Sequence, residues 1–414
     1  VTFSRYSIDG FDQRRPVPEI FGLASVVGRI YRGVSSAEIH NEIVERLGNG
    51  DEAAGAWLDL SFLHRALGDI VNADTFQREA LGLSKFFRQP NASTSPFRLL
   101  AFKTAGDFMT NTPLEFMLEE GDVEVVSFYL DDKVVGFENV PEHDVAILAI
   151  GESPASQIVL QKCSVALDFW PRKIVNNSPA WILRLERGQL WRHLSVLSGI
   201  RCPWTMTCER ADLVKSGASE LEAKLQTGDP SFPLILRPEG AHAGTNTVKV
   251  ETLEHLTSLI PAYAADRLQL SQFIDYASPD GLFRKYRVAL IDGVAYPVHL
   301  AISSHWMVHY LNAGMGDSVE KREEEASWFN SFRQTFASKH KPAFDKLSTT
   351  IELSYFAMDC AETKDGELLI FEIDTAMIIH CMDAGPEYAY KRDPMQKLFA
   401  AFLAMLKHGQ ALNS

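Results

Sequence analysis

Asp359, Glu372 and Asp374 are the residues whose types and spacing most directly offer chemistry. They lie in the stretch SYFAMDCAETKDGELLIFEIDTAM, from Ser354 to Met377. Two runs rich in apolar and aromatic residues flank Lys364-Asp365-Gly366, a turn signal, so the stretch reads as a β-hairpin. Glu372 and Asp374 are two apart on the second strand and project from one face. Pairing Thr363 with Gly366 sets Asp359 opposite Ile370 and diagonal to Glu372, still within reach. Three carboxylates that close repel each other and call for a cation, and an all-oxygen set suits Mg²⁺ better than zinc. A solvated acidic hairpin face is the alternative on spacing alone. Upstream, Arg284, Lys285 and Arg287 form a local basic spot, with Lys285 and Arg287 on one strand face. Beside a carboxylate–metal cluster they suggest a polyanion held between; charge balance on a strand edge is the plainer reading. The loop Glu239–Thr247 carries Gly240, His242 and Gly244, and its backbone N–H groups could cradle phosphate oxygens, although most such loops are only turns. His305 and His309, four apart, could shape an acceptor pocket with Trp306 and Tyr310. Hydrogen-bonded structural roles are the commoner use of such histidines, and a metal role lacks the Glu of an H-E-x-x-H pattern.

At 414 residues the chain exceeds one ordinary domain. Its apolar and charged fractions are those of a globular protein. The net charge of −14 argues against a broad nucleic-acid surface. Five cysteines, an odd number without a Cys-x-x-Cys pair, disfavour a disulfide framework or structural zinc and point to a reducing, cytoplasmic setting. The first residues, with no long apolar run, do not read as a signal peptide, and no apolar stretch is long enough to span a membrane.

These residues must be positioned by several units. Residues 1–30 read as an N-terminal arm, extended and polar over 1–18. Residues 31–92 read as helical. Ser35-Ser36-Ala37-Glu38 caps one helix, and Trp57–Leu67 and Ala73–Leu83 follow at helical spacing around Gly68-Asp69. This resembles a single tetratricopeptide-type helix pair, which must cap a neighbour or extend an imperfect bundle. A partner-binding array is the alternative, open to a protein or peptide. Gln89–Pro96 is a linker. Over 93–175, strands at Phe97–Gly106, Val123–Leu130 and His143–Glu152 alternate with helices, a small parallel α/β domain. The turn Lys103–Asp107 sits where open α/β sheets bind ligands. Residues 176–414 form the remainder, with strands at Pro233–Pro238 and Leu268–Tyr276, a hairpin around Asp292-Gly293, a long charged helix Glu320–His340 and a closing helix Asp393–Leu406.

In this order the pieces resemble the ATP-grasp superfamily, which includes glutathione synthetase, D-alanine–D-alanine ligase and the RimK-type peptide ligases. The resemblance covers roughly residues 97–408 and implies a small pre-ATP-grasp domain followed by two lobes that grip ATP. GIRCPWT is similar to the family's opening segment. Arg187 and Arg237 match two positions usually held by phosphate-contacting Lys, and Arg conserves charge there while binding phosphate bidentately. Gly240–Thr245 matches the glycine-rich phosphate loop, with His242 inside it. Gln272, Phe273 and Ile274 match the hinge that reads adenine, Gln272 standing where Glu is usual. Arg287 matches an Arg near the γ-phosphate, with Lys285 beside it, and Asn312 matches a segment contacting phosphate or acceptor. Asp359, Glu372 and Asp374 match the metal set, Asp374 replacing the commoner Asn. The implied activity is an ATP- and Mg²⁺-dependent ligase (Mn²⁺ as substitute) joining a small-molecule or peptide carboxylate to an amine through an acyl phosphate. A kinase on the same fold and an inactive nucleotide-binding scaffold are the other classes. No nucleic-acid or membrane partner is implied.

Overall fold

The computed structural model describes residues 17–411 apart from 49, 51, 91–96, 120, 134–139, 169, 216–230, 241–243 and 384. Four helices come first, Leu23–Tyr31, Ser36–Glu45, Ala53–Ala66 and Ile70–Leu83. Among the described residues, fourteen strands follow. β1 (Phe86–Gln89), β2 (Phe97–Thr104), β3 (Val123–Leu130), β4 (Val145–Leu148) and β5 (Ile174–Val175) form one sheet in the order β1-β3-β2-β4-β5. β6 (Ile200–Arg201) belongs to the last sheet. β7 (Thr205–Glu209), β8 (Leu234–Pro238), β9 (Val248–Val250) and β10 (Arg267–Gln272) form a small antiparallel sheet, order β7-β10-β8-β9. β11 (Phe283–Ile291), β12 (Val294–Ser303), β13 (Tyr355–Glu362) and β14 (Leu368–Asp374) complete the third, order β12-β11-β13-β14-β6. A helical region, a small α/β domain and two further α+β units are therefore present in the expected order. Among the described residues, no helix is long and apolar enough to cross a membrane.

Residue pattern accounts for these layers. β4 and the centre of β2, Leu99–Phe102, are continuous apolar runs because helices cover the parallel strands on both faces. The β11–β12 hairpin turns at Asp292-Gly293, both at positive φ (46° and 76°), which is the primed turn that matches strand twist. In the third sheet the centre of one face is apolar. Phe356, Met358 and Cys360 meet Trp328, Phe332 and Phe344 from two helices. The opposite face is split. Tyr355, Ala357, Ala289 and Ile291 bury against the closing helix Arg392–Ala411, and the other end of the same face carries charge.

Several expectations change. Leu23–Tyr31, read as part of the arm, is a helix, because Leu23, Ala24 and Val26 close the helical core. Phe86–Gln89, read as helix end and linker, is an edge strand: Phe86 stacks on Phe128 across the pair at 4.2 Å while Phe87 turns into the core. The long charged helix is two helices, Val319–Ser331 and Phe336–Ile351. Between them the Thr335 hydroxyl donates to the Ser331 carbonyl at 2.9 Å, a local bond that competes with helix continuation. β6 and β7 were not anticipated; both are short and begin or follow at Gly199 and Pro203.

The helical region is fused to the α/β domain. Phe87, Phe116 and Tyr129 belong to the same core as Ile39, Leu58 and Leu63. It also occupies the turn that the sequence offered as a ligand site. Gln77 clasps Gly106, its amide nitrogen donating to the carbonyl at 3.1 Å and its oxygen accepting from the N–H at 3.0 Å. Lys103 is buried against Glu115 at 2.5 Å. Gln77→Ala leaves both half-buried Gly106 groups without this partner and should cost about 1 kcal/mol in urea unfolding; a change within error would mean that the clasp contributes nothing.

Candidate active site

The charged end of the third sheet is built by cross-strand register. His299 lies opposite Arg287, Arg287 opposite Asp359, and Asp359 opposite Glu372. The last pairing differs from the expected one. The turn closes with the Thr363 N–H donating to the Glu367 carbonyl at 3.0 Å, which moves the register, and a bulge follows between Asp359 and Cys360 on the β13 side. Cys360 pairs with Ile370 and Asp359 with Glu372, so Phe371 is the extra residue. The bulge sends Ile370 into the core and Glu372 to the charged face, which strict alternation would not allow.

Asp359 is 1% exposed and fully engaged. Arg287 Nε donates to Oδ1 at 2.7 Å and Nη2 to Oδ2 at 3.1 Å, while Lys285 Nζ lies 2.6 Å from Oδ2. Burial alone would raise this carboxyl, but the Arg287 and Lys285 charges outweigh it and hold it far below the usual carboxylate range. Burial also lowers Lys285, against the pull of Asp359. Arg287 Nη1 donates at 3.0 Å to the carbonyl of Ile378, tying down the segment after β14.

The small sheet faces this row with a second one. Leu268 and Leu270 on β10 enter its apolar core, so Gln269 points the other way, between Thr207 and Arg237 on the neighbouring strands. Thr207 and Gln269 both donate to Glu186 Oε1, at 3.2 and 3.1 Å. Glu186 caps the helix Arg187–Leu194, accepting from the N–H groups of Gly188 and Gln189 at 3.0 Å each. That cap sets Arg187 at the helix start, where it pairs with Glu372 of the other sheet. Arg187 thus joins the rows. Burial, and then the like charge of Arg187, pushes Arg237 down to about 9.

Asp374 is bonded differently from Asp359 and Glu372. Its Oδ1 accepts from the Ala376 N–H at 2.9 Å. Gly151, at the end of the α/β domain, is pressed against it: a Cβ there would come within 2.6 Å of the Ala376 Cβ and 3.2 Å of Asp374 Oδ1. The next residue, Glu152, therefore enters the site. Burial, with Asp374 and Glu186 adding to it and Arg187 opposing, raises Glu152 to about 8. Burial likewise raises Asp374 to about 6.

Do these carboxylates fit a magnesium ion? The Asp359 oxygens are occupied by two cations, Glu372 is held by Arg187, and Asp374 is turned to backbone N–H groups. Among the described residues no three His, Cys, Asp or Glu side chains converge as a metal site. As arranged, the set does not fit a shared cation.

The hinge residues lie at the exit of β10. The Gln272 N–H donates to Trp204 at 2.8 Å and the Phe273 N–H to Pro233 at 3.1 Å. Lys249 Nζ sits 4.2 Å over the Phe273 ring, Trp306 meets its edge at 5.7 Å, and Ile274 packs on the main core. Gly244 approaches Met307, whose Sδ would be 2.6 Å from an added Cβ, and Gly240 lies 3.9 Å on the same measure from Pro154. His242 lies outside the described residues. Asn312 Oδ1 accepts from the His309 N–H at 2.9 Å, and His309 Nδ1 accepts from the Leu311 N–H, closing a turn; after burial, the Lys285 and Arg287 charges lower His309. His305 Nδ1 accepts from the Met307 N–H at 3.2 Å. Both histidines serve local structure.

Sequence reasoning missed Glu152, Glu186 and His299. Glu152 follows a strand of a parallel sheet at its carboxyl end, where ligands gather, and that signal could have found it. Glu186 could have been read as a helix cap. His299 carries no local signal, because only its register places it beside Arg287.

No protein-family model matches the chain, and no curated protein matches it. Solved structures do. The chain is similar to the RimK domain protein ATP-grasp from Sphaerobacter thermophilus DSM 20745, with a TM-score of 0.42 and 13% identity over 74% of this chain and 99% of that one. It is similar to the D-alanine–D-alanine ligase from Coxiella burnetii, with a TM-score of 0.46 and 12% identity over 76% and 97%. It is also similar to the VanG D-Ala:D-Ser ligase from Enterococcus faecalis, with a TM-score of 0.45 and 10% identity over 75% and 100%.

Proposed function

We propose that this chain is an ADP-forming ligase that activates a carboxylate with ATP and passes it to an amine. One observation supports this above others: burial and the like charge of Arg187 depress Arg237, and Lys285 and Arg287 stand on the facing sheet. Grouped buried cations are unfavourable alone and suit a polyanion. A carboxylate resists attack because resonance and charge make it a poor electrophile. Transfer of the γ-phosphoryl group gives an acyl phosphate with a good leaving group, which an amine attacks. Arg187 and Arg237 would hold the phosphates, and Lys285 and Arg287 would offset charge as it redistributes during transfer. The backbone of Gln272–Ile274 would read the adenine edge. ATP would arrive as its magnesium complex, as substrate; no step here depends on a metal held by the protein. Glu152, neutral at physiological pH, could receive the proton that the attacking amine loses only after it ionises.

Calorimetric titration of ATP, with and without Mg²⁺, tests the reading. Wild type should bind, and Arg237→Met should bind about tenfold more weakly or worse, with little change in thermal midpoint. Absence of binding by wild type would overturn the proposal. Product analysis then separates an amide from a stable phosphorylated acceptor, the outcome that a kinase would give.

A further inference from the structure

A cleft of about 360 Å³ lies between the α/β domain and the closing helix, and none of the residues of the two charged rows lines it. Phe116 and Glu119, on the helix Leu114–Leu118 and at its exit, form one wall. Arg392 and Phe399 of the closing helix form the other, and Asp383 and Tyr388, from the segment after β14, close the third side. The volume is that of a small-molecule site.

The charges in this cleft are not equivalent. Lys391 is buried and committed, 2.7 Å from Asp383, 3.6 Å from Glu325 and bonded to the Tyr310 hydroxyl. That network satisfies Asp383 as well. Arg392 and Glu119 are exposed, and among the described residues neither forms an ion pair. One available cation and one available anion therefore line the cleft, from the closing helix and from the exit of the helix Leu114–Leu118. Phe116 and Phe399 supply apolar surface between them. A nucleotide is a poor occupant, since Glu119 and Asp383 would repel its phosphates.

We infer that this cleft binds a zwitterionic peptide of about two residues, its carboxylate on Arg392, its ammonium on Glu119 and an apolar side chain on the phenylalanines. The site is separate from the nucleotide site and does not depend on the ligase reading. It is joined to it physically, because the segment that forms its third wall is held by Arg287 through the Ile378 carbonyl at 3.0 Å.

The test is calorimetry of the dipeptides Ala-Phe, Phe-Ala, Ala-Leu and Leu-Ala, without nucleotide, on the full chain. At least one should bind. Amidating its carboxylate, or Arg392→Ala, should weaken binding about tenfold or more, as should acetylating its amine or Glu119→Gln. Both side chains are exposed, so unchanged thermal midpoints will show that the variants fold. ATP affinity should be the same in Arg392→Ala as in wild type, which keeps the two sites distinguishable. No binding by any of the four, or binding indifferent to Arg392→Ala and to amidation, overturns the inference.

Discussion

Asp359→Asn should destabilise the folded protein by about 3–5 kcal/mol at pH 7, a large part of the stability that a chain of this kind has. The substitution conserves shape and removes one charge. It leaves Lys285 and Arg287, their side chains 17% and 12% exposed, without the carboxylate that holds them at 2.6 and 2.7 Å. The damage comes from those two orphaned cations more than from any lost attraction. Two comparisons isolate the cause. Glu372→Gln removes the partner of Arg187, but that pair is about a quarter exposed, with side chains at 22% and 26%, so its loss should cost only about 1 kcal/mol. Asp359→Asn with Lys285→Met should recover part of the loss, since one orphan is gone. The pH dependence has a definite sign. The folded Asp359 carboxyl is held below its unfolded value, so its contribution is complete above about pH 4 and is lost as pH falls further. The gap between wild type and Asp359→Asn should therefore begin to close in acid, by only about 1 kcal/mol at pH 3. Urea unfolding at pH 7 and pH 3 measures both. A pH 7 difference under about 1 kcal/mol would mean that Asp359 is not the counter-charge of this pair, and would return it to the role of metal ligand.

Much of this site is legible in the sequence because strand periodicity carries it. Glu372 and Asp374 do share a strand with the expected hairpin before it, and Lys285 and Arg287 do share a face. What the sequence does not display is which residue opposes which. The turn closing at Thr363–Glu367 and the Phe371 bulge together change the partner of Asp359 from Ile370 to Glu372, and no residue type announces the bulge. The same holds between domains. Arg187 meets Glu372 across 185 positions of chain, and Glu152 reaches Asp374 only because Gly151 lets two backbones close together. Those contacts belong to domain packing, which local pattern does not encode. The helical region shows the limit in the other direction. Its helix pair is visible as periodicity, yet its function as a plug over Lys103–Gly106 depends on one glutamine whose partner lies 29 residues away.

Glu152→Gln should stabilise the protein at pH 8.5 by about 2 kcal/mol and change little at pH 5. Burial, with Asp374 and Glu186 nearby, raises the folded Glu152 carboxyl to about 8 from an ordinary 4.5. A carboxyl raised on folding opposes the folded state once the unfolded chain has ionised. The opposition begins near pH 4.5, grows until about pH 8 and is constant above. Asp374, raised to about 6, adds the same effect over a lower range. Wild-type stability should therefore fall across pH 5–8, and the Gln variant should fall less. Each tenfold change in proton affinity is worth about 1.4 kcal/mol, and relaxation with water around a carboxyl that is not fully enclosed reduces the full displacement to about 2 kcal/mol. Glu186→Gln cannot serve as the control, because Glu186 caps a helix and its loss would add that cost. Glu142, paired with Arg172 on the surface of the same domain, can. Parallel urea profiles for wild type and Glu152→Gln from pH 5 to 8.5 would show that Glu152 is ionised at little cost. A steeper fall in wild type than in Glu152→Gln, with Glu142→Gln tracking wild type, would show that this site holds a neutral carboxylic acid at neutral pH. That is the protonation state in which a group beside Arg187 can donate a hydrogen bond to a phosphate oxygen instead of repelling it.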